Sequence, residues 1–321
     1  MNVLIVGGFG YIGGQIAKDN PDWDVYDNLL YEKYFYLPNN FISGDVRDTE
    51  KLSKILPNYE AVIWLAAIVG DGACTLNPLL TKEVNEYSVK WLVDNYEGKI
   101  IFMSTCSVYG ASDEFLTEES EVNPLSLYAL TKLNSEQILL NNSDCTIFRL
   151  GTVFGCSLRP RFDLVVNIFT ANAYTKGEMT VFGGEQWRPN IHVKDVARIV
   201  GSATDFSLYR KHAQIEKLFL PESHKMFGVF NLGGENLRIV DIANIVKENV
   251  PEATINITES PFEDNRNYKV DSGKLDEVFA FKPKFTVDDG VKDILELLES
   301  GRVKNPFDVS FHNSNFLSGV V

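Results

Sequence analysis

Tyr128 and Lys132 stand four apart in residues 126–141, where apolar residues recur at helical spacing, so the two side chains share one helix face. An ammonium beside a phenol favours the phenolate and draws the tyrosine pKa down from about 10. Such a phenolate can take the proton of an alcohol while a hydride leaves the carbon. One strand–helix step upstream, the apolar run 99–104 is followed by Thr105, whose hydroxyl can hold the same alcohol. A hydride needs an acceptor, and a second pattern provides its site. The run 2–6 leads directly into Gly7-Gly8-Phe9-Gly10-Tyr11-Ile12-Gly13. The first glycine permits a tight strand-to-helix turn, the next lets backbone approach a pyrophosphate, and the last lets the helix pack closely on the sheet. The next run, 23–26, is followed by Asp27, whose carboxylate can accept both hydroxyls of an adenosine ribose and would repel a 2′-phosphate. Dinucleotide binding is the expectation, with NAD favoured over NADP.

These residues need elements to position them. Apolar runs at 2–6, 23–26, 40–42, 61–67, 99–104 and 145–150 alternate with amphipathic stretches such as 78–96 and 126–141. The alternation predicts an α/β fold: a Rossmann-type, doubly wound parallel sheet with helices on both faces. Ligands bind such sheets at the carboxyl ends of the strands, where Thr105 falls. Past Leu150 the rhythm changes. A loop rich in Gly and Arg (151–161) precedes a helix at 163–176 and a short strand ending at Gly183-Gly184. A helix at 193–204 and a strand at 229–232 should return to the sheet, with further helices at 239–248 and 287–298. The expected division is a dinucleotide-binding domain of residues 1–160 plus about 191–232, and a smaller C-terminal substrate lobe of about 161–190 plus 233–321.

Composition narrows the partners. The 321 residues carry 44 Asp and Glu against 30 Lys and Arg, a formal charge of −14, with 45% hydrophobic residues, enough for a sizeable core. An acidic chain without a Lys/Arg cluster is a poor partner for nucleic acid or anionic membranes. Its longest apolar run, residues 61–69, falls far short of the roughly 20 needed to span a bilayer. The first residues lack the basic start and small-residue cleavage site of a secretory signal. Cys74, Cys106, Cys145 and Cys156 show no CxxC spacing and no partnered histidines, so no metal site is expected. Scattered thiols of this kind suit a reduced, cytoplasmic protein.

In this order the motifs resemble the extended short-chain dehydrogenase/reductases, specifically the NAD-dependent nucleotide-sugar epimerases and dehydratases, over nearly the whole chain. The resemblance assigns Gly7, Gly10, Tyr11, Ile12 and Gly13 to the cofactor loop, and Asp27-Asn28-Leu29 to the ribose-binding strand end. Gly44-Asp45-Val46 matches the adenine-contacting segment, Leu65-Ala66-Ala67 the strand under the cofactor, and Asn85 the asparagine of the next helix. Ser104-Thr105 through Tyr109-Gly110 matches the catalytic strand end, with Ser104 beside the cofactor, and Tyr128 and Lys132 match the catalytic pair. Arg149 to Gly155, including Thr152, resembles the loop leading to the substrate lobe, where Arg161 and Asn167 follow. Arg188, in Phe182-Gly183-Gly184-Glu185-Gln186-Trp187-Arg188, and Arg266, ahead of Tyr268, Asp271 and Lys274, stand where the family holds a nucleotide diphosphate.

The implied substrate is a nucleoside-diphosphate sugar. Tyr128 would take the proton of its C4 hydroxyl as hydride passes to NAD, Lys132 would lower the Tyr128 pKa and hold the nicotinamide ribose, and Thr105 would orient the hydroxyl. If the keto sugar turns in place and takes the hydride back, the enzyme is an epimerase; if it leaves, a 4-dehydrogenase. A non-catalytic dinucleotide sensor on this fold would usually have lost the tyrosine or lysine. Family members commonly pair the helices at 78–96 and 126–141 as homodimers, and Val84, Trp91, Leu133 and Leu140 offer apolar surface for that.

Departures from the family narrow the chemistry. Cys106-Ser107 replaces the Asp-Glu of the dehydratases, which removes the usual dehydrating acid. Members that epimerise beside the carbonyl carry a cysteine two places after the catalytic hydroxyl, where this chain has Ser107. The span from Gly13 to Asp27 is short, and residues 206–225 look like an insertion without an assigned function. Leu65 to Asp71 with Cys74, and Arg161 to Asn167, look closest to a branch that includes GDP-heptose 4-dehydrogenases.

Overall fold

The structure, a computed structural model, describes residues 1–31, 40–142, 145–204, 227–259 and 266–319. The insertion expected at 206–225 lies outside them. Strands β1 (Val3–Val6), β2 (Asp24–Asp27), β3 (Phe41–Ser43), β4 (Ala61–Trp64), β5 (Lys99–Thr105), β7 (Cys145–Leu150) and β11 (Gly228–Leu232) form one sheet. Its order is β11-β7-β5-β4-β1-β2-β3, and each neighbouring pair is parallel. The order reverses at β1, between β2 and β4, which is where a doubly wound sheet opens its ligand crevice.

All four residues of β1 are buried, so the strand is covered on both faces. Val3 and Ile5 join a core with Ile16 of α1 (Tyr11–Asp19) and Val196, Ile199 and Val200 of a later helix, Val193–Thr204. Leu4 and Val6 join the opposite core, with Leu52 of α2 (Thr49–Ile55), Leu92 of the helix ending at Asn95, and Leu139 of α6 (Leu127–Asn142). Alternate side chains of one strand thus hold two helical layers. The expected helix at 78–96 is three pieces: α4 (Pro78–Lys82), a π-turn (Glu83–Tyr87) and α5 (Ser88–Asn95). Between β4 and α4 lies a short α3 (Asp71–Leu76).

Smaller sheets build the rest. Strand β10 (Trp187–His192) pairs with β8 (Thr152–Phe154) and β12 (Glu235–Arg238), and β9 (Glu178–Phe182) with β13 (Thr254–Thr258). The pair β6 (Ala111–Leu116) and β14 (Asn267–Val270) joins the connection between β5 and α6 to the C-terminal part of the chain. Helices α7 (Val165–Lys176), α8 (Val193–Thr204), α9 (Ile239–Asn249), α10 (Gly273–Phe279), α11 (Val287–Glu299) and α12 (Asn313–Leu317) complete the described chain. A separate apolar core of Val166, Phe169, Met179, Val181, Ile242, Val246 and Val291 packs α7, α9 and α11 around β9. Among the described residues no helix is long and apolar enough to cross a membrane.

Candidate active site

A cavity of about 660 Å³ opens at the carboxyl ends of β1, β2, β4 and β5. Its first wall is the β1–α1 loop, lined by Gly7, Gly10, Tyr11, Ile12 and Gly13. Gly7 has φ +83°, and a Cβ there would meet the backbone nitrogen of Ala66 at 2.5 Å. A Cβ on Gly13 would stand 2.5 Å from the Gly7 carbonyl oxygen. Gly10 differs: a Cβ would approach only Gly7 O, at 3.4 Å, so the fold itself has room for a side chain there. Leaving Gly10 bare keeps open a space in front of the α1 N-terminus, as an anionic diphosphate requires.

Asp27 ends β2 in the cavity wall, accepting the N–H of Phe9 at 3.0 Å and of Leu29 at 2.7 Å. Burial pushes its pKa up, while those two N–H groups and the charge of Arg159 oppose the shift. Asn28 donates to Asp45 at 3.1 Å, and the Arg47 guanidinium beside Asp45 holds that carboxyl down at about 2. Asp45, Val46, Leu65, Ala66 and Ala67 line the same space. A carboxylate oxygen has two acceptor positions, so Asp27 retains capacity for ribose hydroxyls.

The strand end of β5 brings Ser104 and Thr105 into the cavity, where α6 adds Tyr128 and Lys132. The Thr105 hydroxyl accepts the Ser107 N–H at 3.1 Å and keeps its own proton to donate. Ser104 donates to Glu136, one turn beyond Lys132, and Glu136 is gripped by Arg149 at 2.7 Å. Lys132 Nζ donates to the Met103 carbonyl at 2.8 Å and lies 4.5 Å from the Phe102 ring centre; burial lowers its pKa to about 8. Tyr128 departs from expectation. Burial, with the Cys74 and Asp71 charges behind it, raises its pKa, and Lys132 is not among the leading groups acting on it. Lys132 spends its ammonium on a backbone oxygen, so the helical spacing alone does not set up a phenolate.

Thr152, Arg161, Arg188 and Arg266 line the remaining wall. Arg161 pairs bidentately with Asp163 at 2.9 and 3.0 Å. Arg188, itself buried, donates to the carbonyls of Trp187, at 2.8 Å, and Arg266, and Arg266 pairs with Asp71 at 3.2 Å. Two expected contact residues are not in the lining. Asn85 is buried in the π-turn, accepting the Ile68 N–H at 2.8 Å and donating to Ile68 O at 3.0 Å, so it fixes the loop after β4. Asn167 is fully buried, accepting the Gly155 N–H at 3.0 Å and donating to Arg161 O at 2.8 Å and Tyr11 Oη at 3.3 Å. Its polar atoms are used inside the fold, where it holds the backbone of Arg161. Val84 also faces the cavity, not the outer surface. Cys106 is buried outside the lining, with its thiol donating to Arg149 O at 3.1 Å and its pKa raised by burial. It behaves as a core side chain.

The cavity also holds Tyr31, Asp71, Ser107, Arg159, Asp163, Tyr268 and Asn313, which the sequence reading did not single out as site residues. Tyr31, Arg159 and Asp163 sit in loops, and Asp71, Ser107 and Asn313 in the first turns of short helices, where no periodicity indicates facing. The Arg159-Pro160-Arg161 run was the one available signal, since two guanidiniums in a short loop of an acidic chain invite an anion.

A reversing parallel sheet, a glycine loop at the first helix, an acid at the second strand end and a Thr/Tyr/Lys set in one cavity define an extended short-chain dehydrogenase/reductase. The profile of the NAD dependent epimerase/dehydratase family matches residues 3–206. The chain belongs to that family, and NAD is its cofactor. It is 28% identical to a UDP-glucose 4-epimerase of Lactobacillus helveticus, covering 90% of this chain and 94% of that protein. The structure of UDP-glucose 4-epimerase with UDP-glucose from Thermotoga maritima superposes with a TM-score of 0.77 at 24% identity, covering 94% of this chain and 100% of that one. MoeE5 in complex with UDP-glucuronic acid and NAD gives a TM-score of 0.77 at 20% identity, with coverage of 94% and 100%.

Proposed function

We propose that this protein is a nucleotide-sugar 4-epimerase in which Tyr128 is the base for the sugar C4 hydroxyl. The observation that carries the reading is one cavity shared by Thr105, Tyr128 and Lys132, the open glycine loop, and Arg188 with Arg266. The 4-epimerase among its relatives supports the same reaction. NAD, when bound, supplies the hydride acceptor and a positive nicotinamide ring. Thr105 donates to the reacting oxygen and orients it. Tyr128 takes the hydroxyl proton, and Lys132, charged at neutral pH, favours the resulting phenolate once its ammonium turns towards it. Arg188 and Arg266 hold the diphosphate of the sugar nucleotide, with forked geometry that lysine cannot copy. In this reading Asn28, Asp45, Val46, Leu65, Ala66, Ala67 and Ser104 serve the cofactor, and Thr152 and Arg161 the sugar; all of them line the one cavity.

The test is a single turnover. Enzyme loaded with NAD is mixed with UDP-glucose, or with whichever of a panel of UDP-, GDP- and dTDP-sugars protects best against thermal unfolding, and NADH absorbance is followed. A transient that rises and decays marks return of the hydride and epimerisation; a persistent signal marks a 4-dehydrogenase. Tyr128→Phe keeps the ring and removes the base, so the rise should slow by about 10²–10⁴ with NAD affinity unchanged. Equal traces from wild type and Tyr128→Phe with every sugar that binds would leave a dinucleotide sensor as the surviving reading.

A further inference from the structure

Beyond the family's loop and strand-end residues, one cation in the cavity has as yet no role in the chemistry. Arg159 is buried, and three contacts fix where it stands. The loop carrying it lies against the start of α1: the Ser157 hydroxyl donates to Tyr11 O at 2.5 Å, and the Leu158 Cβ is 3.2 Å from where a Cβ on Gly14 would be. The guanidinium is 4.4 Å from the centre of the Tyr31 ring, four residues beyond the ribose acid, and it acts electrostatically on Asp27. From the other side a distant segment holds it: Nη2 donates to Asn313 Oδ1 at 2.9 Å and to Ser310 O at 3.3 Å.

That segment is itself well tied. Asn313 N–H donates to Asp163 at 2.9 Å, Phe311 O accepts the Phe162 N–H at 3.0 Å, Phe316 packs on Tyr31 with ring centres 5.6 Å apart, and Leu317 is buried in the sheet's core. Asn313 and Ser314 reach the cavity lining. A last observation points to a ligand. The Tyr31 hydroxyl is buried in that lining with no hydrogen-bond partner among the described residues, where it feels the charges of Arg159 and Arg161 and, opposing them, that of Asp163, which is forked onto Arg161. A buried hydroxyl without a partner is costly unless something else occupies it, and beside the Arg159 guanidinium the fitting group is an anionic oxygen.

We propose that Arg159, stacked on Tyr31 and held by the segment 310–317, completes the site for the diphosphate of the dinucleotide. The inference rests on the dinucleotide reading of the glycine loop. The same chemistry could instead serve the diphosphate of the sugar nucleotide, but the loop's seat on Tyr11 and Gly14 and the proximity of Asp27 place Arg159 at the cofactor's end. The segment 310–317 is thereby part of the cofactor site, although it lies about 300 residues from the glycine loop.

Calorimetric titration of the full chain, freed of nucleotide, separates the two diphosphates with NADH, ADP-ribose and UDP-glucose as probes. Tyr31→Phe removes a hydroxyl that has no partner among the described residues, so the apo melting temperature should hold while NADH and ADP-ribose weaken by about tenfold. Arg159→Met should weaken both by about 10- to 100-fold, and Asn313→Ala by less, with UDP-glucose within twofold of wild type throughout. If NADH binds wild type and Tyr31→Phe equally and Arg159→Met loses no affinity, the inference fails and the family reading stands. Loss of UDP-glucose affinity with NADH unchanged overturns the assignment in favour of the substrate. Wild type that binds neither NADH nor ADP-ribose would bring down the dinucleotide reading and this inference together.

Discussion

At the scale of single residues, burial and charge pull against one another at the two ends of the cavity. Burial lowers the Lys132 pKa to about 8, against about 10.5 when unfolded, and lowers that of Lys99 to about 8 in the same way. Between those values the unfolded chain binds more protons, so stability rises with pH by up to about 1.4 kcal/mol per unit for each lysine. The gain should be visible from pH 8 to about 10, before tyrosines of the unfolded chain ionise. Lys132→Met should therefore stabilise the apo protein at neutral pH by about 1–2 kcal/mol, flatten that slope, and lose turnover. Urea melts at several pH values test it; an unchanged slope would mean that Lys132 is solvated. At the other end Asp27 should favour NADH over NADPH. A unit charge 4 Å from a 2′-phosphate costs about 4 kcal/mol at an effective dielectric near 20. Arg159 offsets part of that, so the preference should be at least about tenfold and should narrow in Asp27→Ser. Equal affinities for the two cofactors in wild type would take Asp27 out of this role.

At the scale of elements, buried asparagines show how the walls are held. Asn85 makes a reciprocal pair with both backbone groups of Ile68, the residue after the Leu65-Ala66-Ala67 strand end. Asn85→Asp keeps the shape and the acceptor but loses the donor and faces Ile68 O with a carboxylate. It should cost about 1–3 kcal/mol and weaken NAD through the displaced loop, whereas Asn85→Ala leaves both Ile68 groups unpaired at similar cost. Asn167→Ala should lower the melting temperature and weaken sugar nucleotide and NAD together, because Tyr11 and Arg161 both lean on it; loss of sugar-nucleotide affinity alone would restore it to direct contact. These roles explain what the sequence made legible. The central strands of the main sheet were readable because a doubly covered strand must be continuously apolar, as in Val3-Leu4-Ile5-Val6 and Ala61-Val62-Ile63-Trp64. The pairs β6–β14 and β9–β13 were not readable: β6 is mostly exposed, carries no alternation, and depends on a partner about 150 residues away. In the site the same rule holds. Thr105 and Asp27 follow from strand ends, and Gly7 and Gly13 from sterics. Whether Asn85 faces a ligand or a loop depends on an inserted π residue, which helical periodicity cannot register.

At the scale of the whole molecule, the outer surface of the helices that carry the site poses the remaining question. Of the residues expected to form a dimer face, Val84 points into the cavity, while Trp91 and Leu133 are half-buried. Leu140 stays exposed, and Leu79, Tyr87 and Leu130 join it, with Leu79 63% exposed. Leu79 and Tyr87 lie on the helical stretch from Pro78 to Asn95 and Leu130 and Leu140 on α6, two elements that pack side by side, with Asn134 donating to Glu86 at 2.9 Å. We propose that a second copy of this chain covers them, giving a four-helix contact between two protomers. Light scattering at micromolar concentration should report twice the 36.1 kDa chain mass. Leu79→Glu with Leu130→Glu should return the monomer without unfolding it, since neither side chain is buried. The consequence reaches the site because Tyr128 and Lys132 ride on the first turns of α6, whose outer face the partner would brace. The monomeric variant should keep NADH affinity, set by the β1 and β2 loops, and lose turnover several-fold. A wild-type chain that scatters as a monomer would remove the partner, and a monomeric variant with full turnover would show that α6 is held by its own core alone.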